Sequence, residues 1–125
     1  ARAHIEVFRA TMDETLYVSF VTHEVAHALA DQHFSAGTTS RLAHEYIAYV
    51  TQLATMPQAR RNAILSDYDL PPFASADEIS LMYYALDPCA FGIKAYLHYR
   101  DADDRQDLIR RLLNGETRLS ADRRD

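Results

Sequence analysis

The sequence predicts a compact, mainly α-helical single domain, and three observations predict it. Long stretches free of Gly and Pro carry apolar residues at helical spacing. Pro57, Pro71, Pro72, Pro88, Gly37 and Gly115 fall between those stretches, at positions where helices stop or start. Only one short segment alternates polar and apolar residues, so there is material for no more than a short N-terminal strand.

That strand is His4-Ile5-Glu6-Val7-Phe8-Arg9. The first helix is expected from Asp13 to about His33, with Asp13 or Thr11 as cap and Glu14 favourably placed in the first turn. Phe34 to Ser40 contains Gly37 and reads as a turn. Ser40 or Thr39 then caps a second helix that runs to about Met56 and is stopped by Pro57. Gln58 to Tyr68 forms a third helix, ended by Asp69-Leu70-Pro71-Pro72. Further helices are expected over Ser75–Leu86, Pro88–Tyr99 and Asp103–Asn114, the last closed by Gly115. Residues 1–115 make one domain, and 116–125 form a charged tail expected to be flexible.

Composition narrows the function classes. At 48% hydrophobic and 25% charged, the chain is ordinary for a globular protein. A net charge of −5, with only paired arginines such as Arg60-Arg61 and Arg110-Arg111, argues against a nucleic-acid partner. No apolar run approaches the roughly 20 residues needed to span a bilayer. Single Cys89 excludes an internal disulfide and a cysteine-rich zinc site, and reads as a small buried side chain.

The chemistry lies in Val21-Thr22-His23-Glu24-Val25-Ala26-His27. Six histidines and six glutamates would produce H-E-x-x-H by chance only about 0.013 times in this chain. On a helix, residues four apart lie about 40° apart in direction and about 6 Å apart along the axis. Both imidazoles can therefore grip one metal ion. Glu24 sits about 100° from His23, outside the ligand set but within reach of a water at the metal, where a carboxylate can act as general base. Zinc suits neutral imidazole ligands and activates water. Leu16, Phe20 and Ala30 share the histidine face, while Val18, Val21, Val25 and Leu29 cover much of the remainder, so the helix is expected to be central and buried.

A catalytic zinc takes three protein ligands, and two residues compete to be the third. His33 lies six residues after His27, the place of the third histidine in the metzincin pattern, and Ser80-Leu81-Met82-Tyr83 resembles that clan's methionine turn. Yet Ala30 stands where the pattern has its glycine. In an unbroken helix His33 points about 120° away from His27, about 9 Å further along. The second helix offers Glu45 instead. Leu42, Tyr46, Tyr49 and Leu53 form its apolar stripe, with Glu45 at one edge and His44 on the opposite side, expected to face solvent. A short turn makes the two helices antiparallel and returns Glu45 toward His23 and His27. Glu45 is therefore favoured.

HEVAH followed 18 residues after His27 by Glu45 in HEYIAYV resembles a compact gluzincin, a zincin metallopeptidase, over residues 13 to about 56. The resemblance implies a peptide or protein substrate, a Zn2+ cofactor, and an active helix packed on a glutamate helix beside a strand. It also implies an oxyanion-stabilising Tyr or His on a downstream helix. Tyr83, Tyr84, Tyr96 and His98 are the candidates, with Tyr83 and His98 preferred, and Asp31 is a candidate to orient a ligand. Tyr49 stands where some gluzincins carry an Asp, and most of the sheet lining their cleft has no counterpart. A zinc-binding or interaction domain without turnover is thus the alternative. The resemblance to exported bacterial peptidases, with the absent initiator Met, leans toward periplasm or secretion, with cytoplasm the other option.

Overall fold

The computed structural model describes residues 6–33 and 40–115 and gives a mainly helical domain. Strands β1 (Glu6–Val7) and β2 (Ala10–Thr11) pair antiparallel, with Glu6 opposite Thr11 and Val7 opposite Ala10. Helices follow as α1 (Glu14–His33), α2 (Arg41–Thr55), α3 (Gln58–Tyr68), α4 (Leu81–Leu86), α5 (Pro88–Arg100) and α6 (Arg105–Asn114). Among the described residues no helix is long and apolar enough to cross a membrane. The start of the expected strand at 4–5, the expected turn at 34–39 and the expected tail over 116–125 lie outside the described residues.

The expected N-terminal strand is a hairpin. Its two turn residues, Phe8 and Arg9, have φ of 56° and 54°, the left-handed region that tight hairpins need and that Gly or Asn usually fills. Packing holds them there instead. Phe8 is fully buried and stacks 5.9 Å from Phe20, while Arg9 lies 4.3 Å over the Tyr68 ring and donates to the Asp67 carbonyl.

Local chemistry explains the helix ends. Asp13 accepts from the Leu16 amide, Ser40 from Ala43, Asp87 from Ala90 and Asp104 from Asp107, each satisfying an amide that the first turn leaves free. Arg61 donates to the carbonyls of Leu53, Ala54 and Met56, placing a cation on the C-terminal end of α2. Between Ser75 and Leu86 the continuous helix expected from the sequence is broken. A single 3-10 turn (Ala76–Glu78) precedes an extended Ile79, and Ser80 then starts α4 by accepting from the Tyr83 amide. Ile79 is fully buried, so its side chain takes a core position that an unbroken helix would not supply.

Helix α2 is central, with α1 against one side and α5 against another. Tyr46, Leu53, Phe91, Ile93, Ile64 and Leu112 are fully buried around it, each contributing about 1.5–3 kcal/mol if aliphatic or phenyl. Helix α1 departs from expectation. Only its histidine face is covered, and Tyr17, Val18, Val21, Val25 and Leu29 are 45–64% exposed. An apolar sequence all round the helix implied burial all round. In the fold, α2 takes one face, and no described element takes the other.

Gly92 lies inside α5, where Gly costs about 1 kcal/mol relative to Ala. A Cβ there would fall 2.4 Å from Cδ1 of Tyr49, so the missing side chain is what lets that ring seat. Gly92→Ala is expected to destabilise the fold by about 1–3 kcal/mol despite its better helix propensity, read as a lower urea midpoint at unchanged slope.

Candidate metal centre

Antiparallel packing of α1 on α2 sets up four levels of contact. Ser19 meets Gln52, His23 meets Gln52 and Glu45, His27 meets Glu45, and Asp31 meets His44. Nε2 of His27 lies 3.0 Å from Oε1 of Glu45, and Nε2 of His23 lies 3.5 Å from Oε2. His23, His27 and Glu45 each offer a ligand atom within 4.8 Å of the others, so this cluster can hold a metal ion. His23 and Glu45 are buried, and His27 is half-buried at the rim.

The hydrogen bonds behind the cluster fix which nitrogen of His23 is free. The Ser19 hydroxyl donates to the Leu16 carbonyl and therefore accepts from the Gln52 amide nitrogen, 3.1 Å away. That turns Oε1 of Gln52 toward Nδ1 of His23 at 2.9 Å. Oε1 can only accept, so Nδ1 carries the proton. In the neutral ring Nε2 is then a lone pair facing a carboxylate oxygen. Two acceptors at that distance repel unless a cation lies between them, and a proton or a metal ion would serve.

Electrostatics agree with an ionised Glu45. Burial pushes its carboxyl up, but His23, the charge of His27 and the Tyr84 hydroxyl together hold it below its ordinary value. The Tyr49 ring meets His23 edge-on at 4.5 Å and, through Gly92, is pinned against α5. Where the resemblance led one to look for an Asp, a ring supports the first histidine by contact, and Gln52 supplies the polar anchor.

Glu24 is exposed on the flank of α1. Helix α1 stays unbroken through His33, whose side chain lies outside what is described. His44 corrects an expectation. It does not face solvent, since its side chain is only 15% exposed, stacks on the His27 ring and lies 3.6 Å from Asp31. Asp31 itself is exposed and meets His44, not a member of the cluster.

The downstream candidates separate. Tyr84 on α4 brings its hydroxyl against Glu45. Tyr83 faces away, packing edge-on to Phe73 with Lys94 over its ring. His98 Nδ1 is hydrogen-bonded to the buried Tyr46 hydroxyl at 2.6 Å, and burial holds its pKa below the ordinary value, so it is a core partner of Tyr46. Tyr96 is buried beside Arg61. Met82 is 73% exposed and floors no site. The structure thus puts Tyr84, and not the preferred Tyr83 or His98, beside Glu45. Neighbouring tyrosines point about 100° apart, and only the packing of α4 on α5 selects the one that reaches α2.

Gln52 and Ser19 were missed from the sequence, although Gln52 is seven residues after Glu45 and Ser19 four before His23, both in register with the cluster face. Gln52→Leu is expected to weaken metal binding about 10–100-fold, because Nδ1 of His23 loses its acceptor. A chelator competition titration reads this, and affinity equal to that of wild type would contradict it.

No curated protein and no solved structure matches the chain. One family does match, over residues 1–122 of 125, and its description is "Family of unknown function (DUF6639)". The cluster just described is therefore a feature of a chain that belongs to the DUF6639 family.

Proposed function

We propose that this chain is a zinc-dependent hydrolase of peptide bonds, with His23, His27 and Glu45 as zinc ligands and Glu24 as general base. The observation that carries the reading is the pair of imidazole Nε2 atoms facing the two oxygens of one buried carboxylate, with Nδ1 of His23 already tied to Gln52. Ligands about 2.0–2.2 Å from a tetrahedral zinc stand about 3.3–3.5 Å apart, close to the 3.0 and 3.5 Å separations here. Three protein ligands would leave the fourth position open, as catalytic zinc requires.

Bound zinc would polarise a substrate carbonyl and bring the pKa of water toward neutrality. The residues do the rest. Glu24 is exposed and adjoins the histidine pair, so it can take a proton from the attacking water and return it to the leaving amine. The Tyr84 hydroxyl, which reaches Glu45, is the donor best placed for charge developing on the substrate oxygen. The substrate is a peptide or protein, with no role for nucleic acid. An exported location, periplasmic or secreted, fits a peptidase of this resemblance.

A second reading keeps the zinc and drops the turnover. It is favoured by the strands, since the β1–β2 hairpin is the only sheet among the described residues, and by the uncovered apolar face of α1, which suits an interaction module. Zinc content and peptide turnover of wild type beside Glu24→Gln separate the two.

A further inference from the structure

Arg41 is the first residue of α2 and lies four residues before Glu45, on the same helix face and about 6 Å along the axis. An Arg and a Glu at that spacing ordinarily pair. Here both oxygens of Glu45 are engaged by His27 and His23, and among the described residues no carboxylate lies within ion-pair distance of Arg41. Its guanidinium instead lies against the Tyr84 hydroxyl, the same hydroxyl that meets Glu45. An exposed cation with no carboxylate partner among the described residues therefore stands one helical turn from Glu45, in a chain whose net charge is −5. It also sits at the positive end of the α2 dipole.

A planar guanidinium matches a carboxylate through two parallel hydrogen bonds. We propose that Arg41 binds a carboxylate of the substrate one residue from the bond held at the cluster. The site would thus take peptides bearing a free C-terminus or an acidic side chain next to that bond. A residue spans about 3.3–3.6 Å of extended chain, and the Arg side chain covers the remaining distance to a point one turn from Glu45. This rests on the peptide-hydrolase reading above and adds a substrate class to it.

The test uses the full chain loaded with zinc, as wild type for turnover and as Glu24→Gln for binding without turnover. The probes are four dansylated tetrapeptides that differ only at the end: free carboxylate, amide, amide with a last Asp, and amide with a last Asn. Fluorescence anisotropy should show the free acid or the Asp peptide binding about tenfold or more tighter than its neutral counterpart. Arg41→Ala should erase that preference and Arg41→Lys keep part of it. Preference for the free acid alone assigns the chain end as the source, and preference for Asp alone assigns the side chain. Equal binding of all four peptides, or a preference that survives Arg41→Ala, overturns the proposal. Carboxylate preference in binding without cleavage by wild type would support it while sinking the hydrolase reading. Cleavage by wild type that ignores the carboxylate would do the reverse.

Discussion

Replacing Glu24 by Gln is expected to lower peptide turnover by about 10²–10⁴-fold, the usual contribution of a general base. Zinc stoichiometry should stay that of wild type. The separation is possible because of where Glu24 sits. It lies on the exposed flank of α1, about 100° from His23, and takes no part in the contacts among His23, His27 and Glu45. Gln keeps the shape and removes only the basic lone pair, so the change should appear in kcat and leave KM nearly unmoved. Elemental analysis and steady-state kinetics on the same preparations read both quantities. Should wild type and variant retain zinc equally and neither cleave any peptide, the non-catalytic reading takes its place. Equal cleavage by both would move the base elsewhere.

Removing the carboxylate of Glu45 should act on the metal itself. Glu45→Ala leaves two imidazoles, and zinc affinity should fall by more than about 100-fold, beyond the 10–100-fold typical of an outer partner such as Gln52. Glu45→Gln keeps a neutral oxygen and should fall between them. His33→Ala should leave affinity unchanged, because the continuous α1 backbone carries position 33 about 9 Å past His27 and off its face. Thermal melts give a second readout. A ligand at 100 times its Kd stabilises a protein by about 2.7 kcal/mol, so zinc should raise the midpoint of wild type and His33→Ala but not of Glu45→Ala. Loss of zinc on His33→Ala with retention in Glu45→Ala would reverse the ligand assignment.

Much of this arrangement was legible from residue order alone. Helix periodicity fixes where a side chain points relative to its own axis, so His23 and His27 had to share a face and Glu24 had to stand beside it. Composition and capping chemistry gave the helix limits closely, because Asp13, Ser40, Pro57 and Gly115 act within one turn of themselves. The inward edge of the second helix put Glu45 toward the pair, and a short connection made the packing antiparallel.

What the sequence left open all depends on the neighbour across the gap. Whether His44 meets solvent or the His27 ring depends on where α1 lies against α2, and hydrophobicity around α2 does not state that. Tyr84 rather than Tyr83 reaches Glu45 because α4 starts afresh at Ser80 and packs on α5, which selects the tyrosine that faces α2. Gln52 became the anchor of His23 only when two helix faces met in register. The exposed Val18, Val21 and Val25 ran against expectation for the same reason, since an apolar side chain asks for cover but does not create it. Periodicity within one helix thus sets direction, whereas packing between helices decides which atoms meet along that direction.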